Sequence, residues 1–89
     1  MEIQLIDGRF SVEEAEQLIT AIINLKIDFH QQKIKTIHQT EEDIKHSERR
    51  ILQLEQTLRE AICKLKQNDQ QFTNIQAHIE LSLPPMIGQ

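Results

Sequence analysis

Apolar side chains recur at helical spacing through most of the interval between Gly8 and Pro84, which holds no further glycine or proline. These two residue types are the commonest markers of turns, so their absence from the interior favours long helices. The spacing predicts a first helix over residues 12–38 and a second over residues 44–75. Two short segments of different character flank this helical region.

The first predicted helix carries an unusually wide apolar surface. Ser11 and Glu14 match a capping box at its start. At 100° per residue its apolar positions span an arc of about 200°, far more than the ~100° that a single neighbour covers. Isolated apolar side chains are common on protein surfaces, which is the simpler explanation for part of this arc. We instead expect an oligomer interface that includes Leu18, Ile19, Ile22, Ile23, Leu25 and Phe29.

The second predicted helix has a narrower apolar side. Ser47 and Asn68 interrupt its series of a and d heptad positions with polar side chains. Most of the series falls within an arc of about 100°, which is typical of a coiled-coil seam with one face in water. The apolar members are Ile44, Ile51, Leu54, Leu58, Ala61, Leu65, Phe72 and Ile75.

Both ends of the chain alternate apolar and polar residues, as half-buried strands do. A strand is predicted over residues 2–6, with Ile3 and Leu5 facing inward and the Asp7-Gly8 pair forming a turn after it. A second strand is predicted over residues 78–83, before a tail at 84–89 that opens with two prolines. Its inward side would hold Ile79, Leu81 and Leu83.

The polar stretch at residues 39–43 leaves two arrangements open. Thr40 and Asp43 imitate a capping box, which favours a turn there and a helical hairpin. Apolar residues nevertheless recur every seven positions through this stretch, as they would in one helix of about 65 residues and roughly 95 Å. We favour the hairpin, because it lets the terminal strands pair within one chain.

The expected fold is therefore mainly α, of the α+β class, in one domain over residues 1–89 with the order β-α-α-β. A long antiparallel helical hairpin or coiled coil would end in a pair of short strands. Eighty-nine residues bury only a modest core when folded alone. We accordingly expect two copies to form a dimeric helical bundle.

Composition narrows the choice of partners and compartment. The net charge of −4, with basic and acidic residues interleaved, argues against nucleic acid and anionic membranes. No apolar run approaches the roughly 20 residues of a membrane span. The N-terminus lacks a secretory pattern, and the single cysteine, Cys63, suits a reducing compartment, so we expect a cytoplasmic protein.

Two polar groups are candidates for ligand binding. His38, Glu42 and His46 are four residues apart, with His30 eight residues earlier, and could offer metal ligands on a continuous helix. No established metal motif accompanies them, so surface histidines explain the spacing as well, and we predict no metal and no cofactor. Lys26 and Lys33 lie with His30 inside the apolar arc, where they would meet acids from a neighbour or hold an anionic ligand.

No phosphate-binding loop, nucleophile elbow or catalytic triad pattern occurs in the chain. The sequence therefore predicts a non-enzymatic oligomerisation or protein-interaction module, a homodimer with an additional protein partner as one possibility. The alternative is a small regulatory protein that binds a metal ion or an anionic ligand through the histidine and lysine positions.

Overall fold

A computed structural model describes residues 1–36 and 40–84 of the chain. Strand β1 (Glu2–Ser11) leads into helix α1 (Val12–Lys35), and helix α2 (Glu41–Lys66) leads into strand β2 (Phe72–Glu80). The two helices pack against each other, and the two strands form an antiparallel sheet. The predicted β-α-α-β order and mainly helical character are confirmed. The two helices form a hairpin and not one continuous helix.

Capping boxes set the starts of both helices. The Glu14 amide donates to Ser11 Oγ at 3.1 Å, and the Ser11 amide donates to the Glu14 carboxylate at 3.1 Å. Thr40 and Asp43 make the same reciprocal pair at 3.1 and 3.4 Å. Because Thr40 is the cap, α2 begins at Glu41 and not at residue 44 as predicted. Helix α1 ends at Lys35, before the predicted end at residue 38.

The end of α2 differs most from the prediction, which placed helix as far as residue 75. The helix ends at Lys66, and five polar residues follow before β2 begins at Phe72. Asn68, predicted as a polar core position, is exposed in this connection and accepts a hydrogen bond from the Gln70 amide at 3.1 Å. The alternation of Ile75, Ala77 and Ile79 then suits a strand, since a strand places every second side chain on one face.

Strand β1 is longer than predicted, because it continues through Asp7 and Gly8 to Ser11 without turning. Gly8 pairs with Ile75, and the Phe10 ring lies 3.6 Å from the position that a glycine Cβ would occupy. The ring thus covers the gap that a glycine leaves in a strand.

A β-bulge in β1 changes which side chains share a face. The pairing moves from Gln4↔His78 to Ile6↔Ala77, so Leu5 is the extra residue and is exposed. The predicted inward position of Leu5 is wrong, and Ile6 takes it instead, because one inserted residue shifts the alternation. The half-buried apolar face of the sheet holds Ile3, Ile6, Phe10, Ile75 and Ala77, with the more exposed Ile79 beside Ile3.

The sheet ends earlier than the predicted residue 83. Strand β2 stops at Glu80, and one further pair of hydrogen bonds links Met1 and Leu81, at 2.7 and 3.0 Å. Leu83 is exposed and lies outside the strand. The predicted tail at 84–89 falls outside the described residues from position 85 onward.

The chain is thin and open for its size. It measures 53 × 34 × 14 Å, and the shortest dimension is close to the roughly 10–12 Å diameter of one helix. Its radius of gyration is 17.0 Å, whereas a compact domain of this length would have about 12 Å. Among the described residues the buried apolar side chains are Ala15, Ile27 and Leu54. The helical pair and the sheet thus form one layer, while stable domains normally pack two.

Candidate functional site

The contact between α1 and α2 uses only one side of α1. Ile27 on α1 and Leu54 on α2 are buried there, and Ser47 on α2 is buried as well, 2% exposed. Sequence reasoning took Ser47 for a polar interruption of the seam. A small side chain at this point lets the two helices approach closely, and its position at heptad spacing from Leu54 was the available signal.

The six residues predicted as an oligomer interface divide between two sides of α1. Ile19 and Ile23 are half-buried and share the helical phase of Ile27, so they belong to the α2-facing side. The other four lie within an arc of about 60°, centred roughly 120° away from that side, at 100° per residue. We call this second group the outer stripe: Leu18, Ile22, Leu25 and Phe29.

The outer stripe is largely uncovered. Leu18 is half-buried, while Ile22 is 41%, Leu25 71% and Phe29 62% exposed. Their spacing of four, three and four residues matches the a and d positions that meet a partner helix in a coiled coil. Single exposed apolar residues are ordinary on protein surfaces, whereas these four are adjacent along one side of the helix.

The solvent-accessible surface of the chain is larger than that of a compact monomer of the same mass. It exposes 7633 Å², whereas a folded monomer of 10.5 kDa is expected to expose about 5,400 Å². Eight fully extended residues would expose roughly 1,300 Å², which is the most that the residues outside the described ranges can contribute to the total. Subtracting this area leaves about 900 Å² more surface than the compact monomer would expose. A standard protein interface covers about 800 Å² on each partner. The surplus is therefore as large as one complete interface.

A group of cationic side chains lies beside the outer stripe. The His30 ring is half-buried between the helices, packs edge-on against Phe29, and its Nδ1 atom is buried without a hydrogen-bond partner. Desolvation lowers the pKa of His30, and the positive charges around it lower that pKa further. We call His30 and these neighbours the cationic cluster: Lys26, His30, Lys33, His46 and Arg50.

The cationic cluster brings together residues of both helices. That Lys26 and Lys33 meet acids from α2 or a partner chain, or hold an anionic ligand, stays a prediction. The charged groups of α2 that act on His30 are Arg50 and His46. Arg50 was missed as a member, since its neighbours on α2 are mixed in charge. Its guanidinium donates to Gln53 Oε1 at 3.1 Å, which holds it on this side of the hairpin.

The predicted metal candidates are only partly described. His38 lies outside the described residues, while Glu42 and His46 are exposed on the first turns of α2 and line a shallow depression with Asp43 and Arg49. Within residues 1–36 and 40–84, no three side chains of the metal-binding types come together. Cys63 is exposed, and the side-chain Nε2 of Gln67 donates to its sulfur at 3.6 Å.

Other concave surfaces bring little chemistry together. A depression of about 590 Å³ lies at the junction of the sheet and α2, and Arg9 is its one titratable lining residue. That guanidinium stacks over the Phe72 ring at 4.3 Å, a cation–π contact on the polar face of the sheet. Over the described residues, neither helix has a stretch long and apolar enough to cross a bilayer.

Comparison with known proteins adds no relative to this geometry. No protein-family model, no curated protein and no solved structure matches the chain.

Proposed function

We propose that this protein is a non-enzymatic homo-oligomerisation module, in which a second copy covers the outer stripe. The observation that carries the proposal is the stripe itself, because its four apolar residues have partner-helix spacing and lie outside the side of α1 that α2 covers within the described residues. The surplus surface of at least about 900 Å² supports it, since that area suits a stable interface.

The sheet supports the same proposal. A two-stranded sheet is marginally stable alone, and the apolar side chains of this one lie on one of its two faces. A second layer contributed by another subunit would complete the two-layer packing that the single chain lacks. An additional protein partner could add to such an assembly through the exposed sheet edges.

The dependence of thermal stability on concentration tests this proposal. Dissociation accompanies unfolding of a dimer, so the melting temperature should rise with chain concentration. The measurement is circular dichroism at 222 nm over a hundredfold range of concentration. A melting temperature that stays constant over that range would exclude self-association as the basis of stability.

A second function is favoured by the cationic cluster. We propose as the alternative that the cluster binds an anionic ligand, with His30 Nδ1 and the Arg50 guanidinium nearest the hairpin interior. Inorganic phosphate and sulfate should then raise the melting temperature more than chloride at equal ionic strength. Arg50→Gln should abolish that difference while Arg59→Gln, on the far side of α2, leaves it intact. Equal effects of all three anions would remove this alternative.

A further inference from the structure

The outer stripe has a sequence pattern that reads the same in both directions. Its spacings of four, three and four residues are symmetric about a point between Ile23 and Asn24. If a two-fold axis passed through that point, Leu18 would meet Phe29 of the second copy and Ile22 would meet Leu25. Antiparallel coiled coils pair their a and d layers in this way. The stripe thus offers matched layers to an antiparallel partner.

The charges around the stripe distinguish this orientation from a parallel one. The cationic cluster lies about 10 Å from the proposed axis, measured along α1 from residue 30 at 1.5 Å per residue. In a parallel pair the two clusters would face each other directly. In an antiparallel pair the two His30 residues would lie about 20 Å apart along the axis and the two Lys33 residues about 29 Å, beyond the Debye length of roughly 8–10 Å at physiological salt, while the two Lys26 residues would be about 8 Å apart.

The acidic start of α1 adds an attractive contribution. Glu14 lies four residues, about one helical turn, before Leu18 at the N-terminal end of the stripe. Lys33 and Lys35 follow the C-terminal end of the stripe. Antiparallel pairing brings Glu14 of one copy to the height of both lysines of the other. It also places the two helix dipoles head to tail, which favours association.

We infer that the second copy docks antiparallel along α1, stripe against stripe, with Leu18 beside Phe29 of the other chain and Glu14 level with Lys33 and Lys35 of the other chain. This inference rests on the proposed function and names its partner and geometry. Charge separation selects the orientation, and apolar burial supplies the affinity.

Distances between spin labels test the orientation. On a Cys63→Ser background, Thr36→Cys and Asn24→Cys each give one labelled site per chain, at exposed positions of α1's end and middle. Antiparallel docking predicts that the 36–36 separation is about 38 Å along the helix axis, while the 24–24 separation along it is only about 2 Å. Double electron–electron resonance should therefore find the first distance longer by more than about 20 Å.

The result separates this inference from the proposed function. Equal 36–36 and 24–24 distances in a dimer would overturn the antiparallel orientation and leave self-association standing. A single-chain mass at all concentrations would overturn both. As a second readout, Leu18→Cys mixed with Phe29→Cys should give disulfide-linked pairs at least tenfold faster than Leu18→Cys with itself, and the reverse order of rates would overturn the inference.

Discussion

Replacing Leu25 by alanine removes the most exposed side chain of the outer stripe. In an isolated chain this side chain is 71% exposed and buries little area, so the change should alter monomer stability by less than about 0.5 kcal/mol. In the proposed dimer it sits next to the two-fold axis and contacts the other subunit. The two situations therefore predict different effects of one substitution.

The expected magnitude follows from the area that remains to be buried. Complete burial of a leucine side chain contributes about 1.5–3 kcal/mol, so covering the exposed part of Leu25 contributes about 1–2 kcal/mol per chain. A symmetric dimer buries the residue twice, giving about 2–4 kcal/mol. The dissociation constant of the Leu25→Ala variant should rise about 30- to 700-fold.

Leu52 provides a matched control. It is 64% exposed in the middle of α2, on the side away from the helix contact, and its neighbours on that side are polar. Leu52→Ala makes the same chemical change at nearly the same exposure, and it should leave the dissociation constant within about twofold. Heats of dilution measured by isothermal calorimetry would give both constants. Equal effects of the two substitutions would refute the assignment of the interface to the outer stripe.

Three further outcomes are expected. Ser47→Leu should destabilise the fold by about 1–3 kcal/mol in urea titrations, because the tight helix contact has no room for a larger side chain. Ser47→Ala adds no volume and should be tolerated. Tolerance of both substitutions would contradict the close approach of the two helices. The lowered pKa of His30 means that the unfolded chain binds a proton more readily, so stability at fixed concentration should fall as pH decreases from 6.5 through the lower folded value. His30→Gln should flatten that dependence, and an unchanged pH profile in this variant would refute the effect. Ile6→Ser should cost about 1–2 kcal/mol and Leu5→Ser less than about 0.5, and the opposite ranking would refute the β-bulge.

The parts of the fold that sequence analysis predicted correctly have local physical signals. Ser11 with Glu14 and Thr40 with Asp43 satisfy helix amides within one turn, so each pair identifies a helix start without knowledge of the rest of the chain. The hairpin follows from the second pair, because it places a helix start in the middle of an otherwise uninterrupted heptad pattern.

The strand boundaries could not be predicted in the same way. Ile75 fits a heptad with Phe72 as well as a strand alternation with Ala77 and Ile79, and only the pairing with β1 decides between them. Likewise, Asp7-Gly8 is a common turn sequence, but here the partner strand and the Phe10 ring keep it extended. A bulge at Leu5 leaves no mark in a single strand, since it exists only relative to a partner.

The six residues predicted as an oligomer interface stay a prediction, and the sequence does not show how they divide between two sides of α1. Separating Ile19 and Ile23 from the outer stripe requires knowing the direction in which α2 packs, which the width of the apolar arc does not give. The cationic cluster depends on the same fact, because Arg50 and His46 approach His30 only through the helix contact. Such contacts between distant parts of the chain are set by tertiary packing and are not encoded in local periodicity.

Sedimentation equilibrium of the unmodified chain tests most directly whether a second copy covers the outer stripe. At tens of micromolar the mass should equal that of two 10.5 kDa chains, and it should fall toward one chain on dilution. A mass of one chain at every concentration would contradict the account, because the outer stripe would then remain in water.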